Sequence, residues 1–152
     1  VSLAQLRALL GAVATRSHMA AEDERGGLIA PGQLARHYAP ETELWLCIGQ
    51  AAAARSWLAE RICTLQAGGQ RVGLLIADED APLLAAPGTD VEPLGSEQHL
   101  DAIAHRLYAA LRALDARRPD VILARDFGEH GIGLALRDRL MRAASGRVVW
   151  VG

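Results

Sequence analysis

Four short, almost wholly apolar runs alternate with amphipathic helical stretches, and this pattern restricts the chain more than any other feature. The runs are Leu44-Trp45-Leu46-Cys47-Ile48, ending at Gly49; Val72-Gly73-Leu74-Leu75-Ile76, preceded by Arg71; Val121-Ile122-Leu123-Ala124; and Val148-Val149-Trp150-Val151. A strand with one face in water alternates apolar and polar residues. These runs do not alternate, so both faces need cover. Between them, residues 51–66 place Ala54, Leu58, Ile62 and Leu65 on one helical face, and Gly68-Gly69 closes that helix. Residues 97–117 carry the stripe Leu100, Ile103, Ala104, Leu107, Leu111 and Leu114. Ser96 is the expected cap, Arg117-Arg118 suit the negative end of the dipole, and Pro119 is the stop. Residues 132–144 form a third helix with Ile132, Leu136, Leu140 and Ala143 inward. A shorter strand is predicted over Asp90–Leu94, after a loop holding Pro82 and Pro87. The predicted fold class is therefore α/β: a small, doubly wound, Rossmann-like three-layer domain over residues 44–152. Its sheet is mostly parallel and about five-stranded, with right-handed crossovers.

The chain upstream follows other rules. Leu3, Leu6, Leu10 and Val13 share a helical face, Ser2 with Gln5 fits a capping box, and Gly11 is a stop. Residues 1–13 thus read as a helix too short to stand alone, one that must dock on something. Opening at Val1 in mid-pattern, it reads as the end of a longer piece. Residues 14–43 read as a linker, broken by Pro31, Gly32 and Pro40. The segment Gln33-Leu34-Ala35-Arg36-His37-Tyr38 is too apolar for a free tether and should lie against a surface. Held between two prolines, His37 and Tyr38 can sit over another domain's pocket, or Tyr38 can pin the linker to its own domain.

Composition removes several kinds of chemistry. Among the 152 residues there is no lysine and no asparagine. A Walker-type phosphate loop and a Schiff-base lysine are therefore excluded. A net charge of −2 argues against a dominant basic surface for nucleic acid or anionic membrane. No apolar run approaches the roughly 20 residues of a membrane span, and no secretory signal is visible. Cys47 and Cys63 fit no zinc or redox motif and read as free buried thiols of a cytoplasmic protein.

Ligands of such sheets bind beyond the carboxyl ends of the strands. That edge should gather Gln50, Asp78, Glu79, Asp80, Asp126, Glu129 and His130. The acids at 78–80 could hold a ribose hydroxyl or a divalent cation, or simply form a solvated loop. Gly131-Ile132-Gly133 opens a helix, which suits either a phosphate or tight packing, with Leu136 where a dinucleotide fingerprint wants its third glycine. Asp78, Asp126, Gly131 and Gly133 are the candidate nucleotide or anion site. His130 beside Glu129 could act as a general base with Asp126, although no strained serine or cysteine accompanies them. His99 and His105 are not four residues apart, and no metal site is expected.

Three stretches resemble one family. Residues 30–40, Ala-Pro-Gly-Gln-Leu-Ala-Arg-His-Tyr-Ala-Pro, resemble the interdomain linker of the two-domain threonylcarbamoyl-AMP synthases. Residues 107–115 resemble the long helix of that family's C-terminal domain. Ile122-Leu123-Ala124, Gly131-Ile132-Gly133-Leu134-Ala135 and Arg139-Leu140-Met141-Arg142-Ala143-Ala144 resemble its closing strand and helix. Arg125-Asp126-Phe127 and Asp138 depart from the family's usual residues. The resemblance implies an enzyme that makes threonylcarbamoyl-AMP and pyrophosphate from threonine, bicarbonate and ATP, for N6-threonylcarbamoyladenosine in tRNA. It assigns the chemistry to a YrdC-like N-terminal domain outside these residues, which would be this chain's partner in cis. ATP, with Mg, would be bound there, none of the cofactors here, and tRNA would be met only indirectly. The helix at Ser2–Leu10 resembles the last piece of that domain. Pro31, Gly32, Arg36, His37 and Tyr38 would lie near substrate as a pocket lid. The expected role is a lid or regulator with no catalysis by this chain alone. The alternatives are a stand-alone nucleotide-binding or regulatory module, or a small hydrolase using Asp126, Glu129 and His130.

Overall fold

The computed structural model describes residues 39–152. The short N-terminal helix and the linker through Tyr38, including Pro31, Gly32, Arg36 and His37, lie outside the described residues.

Five strands form one sheet: β1 (Glu43–Gly49), β2 (Val72–Ile76), β3 (Thr89–Pro93), β4 (Val121–Arg125) and β5 (Val148–Val151). Every pairing is parallel, in the order β3-β2-β4-β1-β5. The helices are α1 (Ala51–Ala67), α2 (Ala81–Leu84), α3 (Leu100–Ala116) and α4 (Gly131–Ala144). The chain steps from β1 to β2 and β3 through α1 and α2, which pack on one face of the sheet. It then steps back to β4 and β5 through α3 and α4, which pack on the other. Reversing direction while changing face keeps every crossover right-handed.

The doubly apolar runs explain the two cores. Leu44, Leu46 and Ile48 of β1, Leu75 of β2, and Ile122 and Ala124 of β4 meet Ile103, Leu107, Ala110, Leu111, Leu114, Leu136, Leu140 and Ala144. On the other face Val72, Leu74, Ile76, Val121 and Leu123 meet Leu58, Ile62, Leu65 and Leu84. Successive strand residues point to opposite faces, so β1, β2 and β4 each feed both clusters, β1 reaching the second through half-buried Trp45.

The structure corrects several expectations. The long helix begins at Leu100, not near Glu97, and Ser96 does not cap it. The hydroxyl of Ser96 donates instead to Glu79. In α4, Ile132 is exposed, and the buried face is Gly133, Leu136, Leu140 and Ala144. Cys63 is exposed, and only Cys47 is buried. Burial first, and then the charge of Asp126, push the Cys47 thiol up to about 11, so it stays protonated at neutral pH. The loop after β2 contains the single turn of α2, where Pro82 is tolerated because it falls in the first turn.

Gly49 and Gly73 are required by close approach. A Cβ on Gly49 would lie 2.1 Å from the Val151 carbonyl oxygen, where β1 and β5 end side by side. A Cβ on Gly73 would lie 2.9 Å from Pro119 and 3.1 Å from Leu114. Gly73→Val should therefore force β2 away from the end of α3 and destabilise the domain by about 1–3 kcal/mol. Denaturant midpoints against wild type check this, and an unchanged midpoint would show that Pro119 and Leu114 yield freely.

Candidate functional site

Adjacent strands β1 and β4 send their chains to opposite faces, β1 into α1 and β4 into α4. The connections diverge there, and a cleft of about 370 Å³ opens at the carboxyl edge. It falls within the roughly 300–1,000 Å³ range of small-molecule sites, at the position where doubly wound sheets hold their ligands. Gly49, Gln50 and Ala51 line one wall and Asp126, Phe127 and Gly128 the other, with Glu97, Leu100 and Arg125 completing it.

Arg125 is the last residue of the central strand and is only 3% exposed. Its Nε donates to Asp80 Oδ2 at 2.7 Å, one Nη donates to Glu97 and the other to the Asp126 carbonyl at 3.1 Å. Its guanidinium also lies over the Phe127 ring, 5.1 Å from the centroid. Arg55 of α1 touches the same two acids, with Nε to Asp80 Oδ1 at 2.6 Å and Nη2 to Glu97 Oε1 at 3.4 Å. Two arginines and two carboxylates thus alternate in a closed ring with no net charge. Burial works against the Arg125 charge, yet its bonds with Asp80 and Glu97 prevail and hold its pKa above the ordinary guanidinium value.

Neighbouring groups fix this ring. The Ala77 amide donates to Asp80 Oδ2 at 3.3 Å. Glu79 accepts from the Ser96 hydroxyl and from the Glu97 amide, the latter at 2.9 Å, which holds the loop carrying Glu97. Asp126 Oδ1 accepts from the Gly49 amide at 3.2 Å. Its Oδ2 accepts from the Gly128 amide at 3.3 Å and from Arg137 Nε at 3.0 Å. One carboxylate therefore ties the two walls of the cleft together and anchors α4.

The expected residues separate into groups. Gln50 and Asp126 line the cleft. Asp80 is fully buried as an ion-pair partner, not part of a solvated loop, and Glu79 is a loop brace. Asp78, Glu129, His130, Gly131 and Asp138 are exposed. Gly133 packs tightly: a Cβ there would lie 2.7 Å from the Phe127 carbonyl oxygen. Among the described residues no three His, Cys, Asp or Glu side chains are placed to hold a metal ion. Arg55 and Arg137 were not foreseen. The one sequence signal for them was Arg125 itself, a charge on the end of an apolar strand that must find acids, which in turn recruit further arginines.

Fold and cleft define a three-layer parallel α/β domain with a ligand-sized recess at its switch point, braced by buried ion pairs. The chain belongs to the family of threonylcarbamoyl-AMP synthase C-terminal domains, whose model matches residues 1–145. It is 35% identical to a threonylcarbamoyl-AMP synthase of Bacillus subtilis over 145 residues, which is 95% of this chain and 40% of that protein. A crystal structure of Pyrococcus abyssi Sua5 complexed with L-threonine matches with a TM-score of 0.68 at 29% identity, over 99% of this chain and 42% of the other. A second P. abyssi Sua5 structure, with an adjacent histidine and tyrosine replaced by alanine, matches with a TM-score of 0.64 at 32% identity, over 74% and 30% of the two chains. The chain thus spans well under half the length of these relatives.

Two outcomes test the site. Arg125→Met should cost about 3 kcal/mol, because Asp80 stays buried with one of its two cations gone. Asp80→Asn should cost much less in that background than alone, and additive effects in the double-mutant cycle would dissolve the ring. The second is acid sensitivity. Hydrogen bonds from Ser96 and Glu97 hold the Glu79 carboxyl below its ordinary 4.5. A depressed pKa stabilises the fold above the unfolded value and loses that effect as pH falls through the folded one. The stability gap between wild type and Glu79→Gln should therefore be full at pH 7 and narrow below about pH 4.5.

Proposed function

We propose that this chain is the C-terminal domain and linker of a threonylcarbamoyl-AMP synthase, and that it acts on a YrdC-like catalytic domain in cis as a lid and regulator. The observation that carries this reading is the family match over residues 1–145, by a chain that spans 40% of its B. subtilis relative. In this reading the full-length protein is a cytoplasmic, ATP-binding nucleotidyltransferase. It joins threonine and bicarbonate and transfers the adenylyl group of ATP to the carbamate, releasing pyrophosphate. The product serves tRNA modification, so tRNA is met only after this step.

The described residues fit a supporting role. Arg125, Glu97 and Asp126 at the cleft are committed to one another, to Asp80, to Arg55, to Arg137 and to backbone amides. The linker is the functional piece. Pro31 and Pro40 restrict its freedom before docking, and Gly32, Arg36, His37 and Tyr38 would face substrate. A docked lid keeps water from a carbamate and an acyl-adenylate, both of which are lost to hydrolysis. His37-Tyr38 is the one His-Tyr step in this sequence, and such a pair was replaced by alanine in a P. abyssi relative.

In the full-length protein, Tyr38→Ala should lower product formation roughly ten- to a hundredfold, equivalent to about 1–3 kcal/mol at the transition state. The same change should barely move the melting of the 152-residue chain, which itself should release no pyrophosphate from ATP, threonine and bicarbonate. A destabilised isolated chain with full-length activity intact would make Tyr38 a core anchor. Turnover by the isolated chain would overturn the division of labour.

A further inference from the structure

Among the described residues the sheet has two edges, and they are built differently. β3 carries Asp90 and Glu92, paired with Arg71 and Arg117, and closes on Pro93. Charges and proline guard an edge strand against pairing with another chain. β5, at the other edge, is Val148-Val149-Trp150-Val151, with no charge and no proline, and Trp150 is 66% exposed. Beside it, Leu134 and Met141 are exposed on α4, seven residues apart and so on one flank of the helix. Arg137, between them, stands over the Trp150 ring at 5.9 Å from the centroid, which places this flank next to β5. Of the five large apolar side chains exposed among the described residues, three thus gather at one sheet edge.

We propose that this edge is a self-association surface, and that its partner is β5 of a second copy of this chain, antiparallel about a two-fold axis at Trp150. The backbone carries the argument. The Leu46 N–H donates to the Arg147 carbonyl at 3.0 Å, and Cys47 is in register with Val149. Backbone groups alternate direction along a strand, so Val149 and Val151 face β1, and Val148 and Trp150 face outward. The Val148 N–H already donates to the Gly146 carbonyl at 3.0 Å. The outer edge therefore offers one residue with both groups to give, Trp150, and a spare carbonyl at Val148. An antiparallel pair bonds both groups of one residue to both groups of the residue opposite. Two identical copies meet this with Trp150 opposite Trp150, which also sets the Val148 carbonyl opposite the Gly152 amide. The register that sets Val148 opposite Trp150 fails, because the Val148 N–H is taken. The donors and acceptors of this edge are their own complement, and this selects a second copy as the occupant.

The side chains agree with this register. Trp150 pairs with the core residue Ile48, so its indole stands on the α4 face of the sheet. A two-fold axis normal to the sheet keeps both α4 helices on that face. Strands lie about 4.8 Å apart, so the two α4 flanks look at each other across two strands, a gap for the paired Trp150, Leu134 and Met141 side chains to fill. On the opposite face Val149 of one copy meets Val151 of the other, and both are half-buried in the single chain. A four-residue strand and one helix flank cover less than the roughly 800 Å² per partner of a standard interface, so the expected dissociation constant is on the order of 10–100 µM.

The test follows the 152-residue chain and the full-length protein by sedimentation equilibrium, from about 10 µM to about 1 mM, with hydrogen exchange at single amides. Both proteins should pass toward twice the monomer mass. Over that range exchange at the Trp150 amide should slow about four- to sevenfold as free monomer is depleted, while the Val148 amide, bonded within its own chain, keeps its rate. Trp150→Glu should stay monomeric at the highest concentration with little change in melting, because the side chain is exposed. If that variant folds poorly, Leu134→Glu/Met141→Glu tests the same surface with the strand edge intact, and should weaken pairing at least about tenfold through like charges across the axis. Protein that stays monomeric throughout overturns the inference. A dimer that survives these variants, or that leaves exchange at Trp150 unchanged, pairs elsewhere and overturns it as well. A full-length protein that stays monomeric while the chain pairs also overturns it, and a protected Trp150 amide in that monomer would mean that another part of the same protein covers the edge.

Discussion

A full positive charge at the buried end of the central strand governs this molecule. Arg125 closes β4, flanked by β1 and β2, and is almost wholly buried. Leaving it unpaired there would cost more than most domains of this size hold in reserve. The carboxyl edge is organised to prevent that. Asp80 is carried in from the loop after β2, Glu97 from the loop before α3, and Arg55 from α1. Each added charge answers the one before, and the series ends when the ring closes. Buried ion pairs contribute little net stability compared with well-packed apolar residues, but removing one partner is severe. The ring's effect is therefore geometric. It joins elements from both faces of the sheet across the end of β2 and β4, where no strand pairing can do so.

That constraint shapes the cleft. A switch point opens a crevice because neighbouring chains leave in opposite directions, but topology alone does not set its width. Here Asp126 bonds the Gly49 amide on one wall and the Gly128 amide on the other. Arg125 lines it with its guanidinium over the Phe127 ring. The tight seat of Gly133 against the Phe127 carbonyl sets how α4 begins. The recess is held by side chains that already have partners, so it is built in advance of whatever enters it.

The fold was legible because its determinants are local and redundant. Runs such as Leu44–Ile48 and Val121–Ala124 announce two-sided burial, and the stripe on α3 announces its partner face. The errors fell where a single residue decides between near-equal options. Ser96 matches the cap preference, but Glu79 offered its hydroxyl an ionised acceptor, and the helix started later. Ile132 matched the helical period, yet a glycine one residue on allowed closer approach, and the inward face turned to Gly133. The site was legible only as an edge. Asp80 and Asp78 look alike in sequence, and burial separates them only after the sheet brings Arg125 within reach of one. Long-range ion pairs leave no periodic trace, so Arg55 and Arg137 carried no signal of their own.

Two features stand at opposite ends of one strand. Asp115 clamps the Glu41 and Thr42 amides beside the start of β1, and the cleft opens where β1 stops at Gly49. A seven-residue strand covers about 20 Å between its first and last residues. The clamp and the cleft are therefore too far apart for one small ligand to touch both. They share β1, whose residues Leu44, Leu46 and Ile48 are locked into the core beneath α3 and α4. A rigid rod of this kind transmits position well and local disorder poorly. Any shift of β1 would carry Val121–Arg125 and Val148–Val151, paired on either side of it. Loosening the carboxyl edge alone would leave the clamp at Glu41 and Thr42 undisturbed. β1 is thus a stiff rod with a pinned entry at Glu41 and Thr42 and a recess where it stops at Gly49.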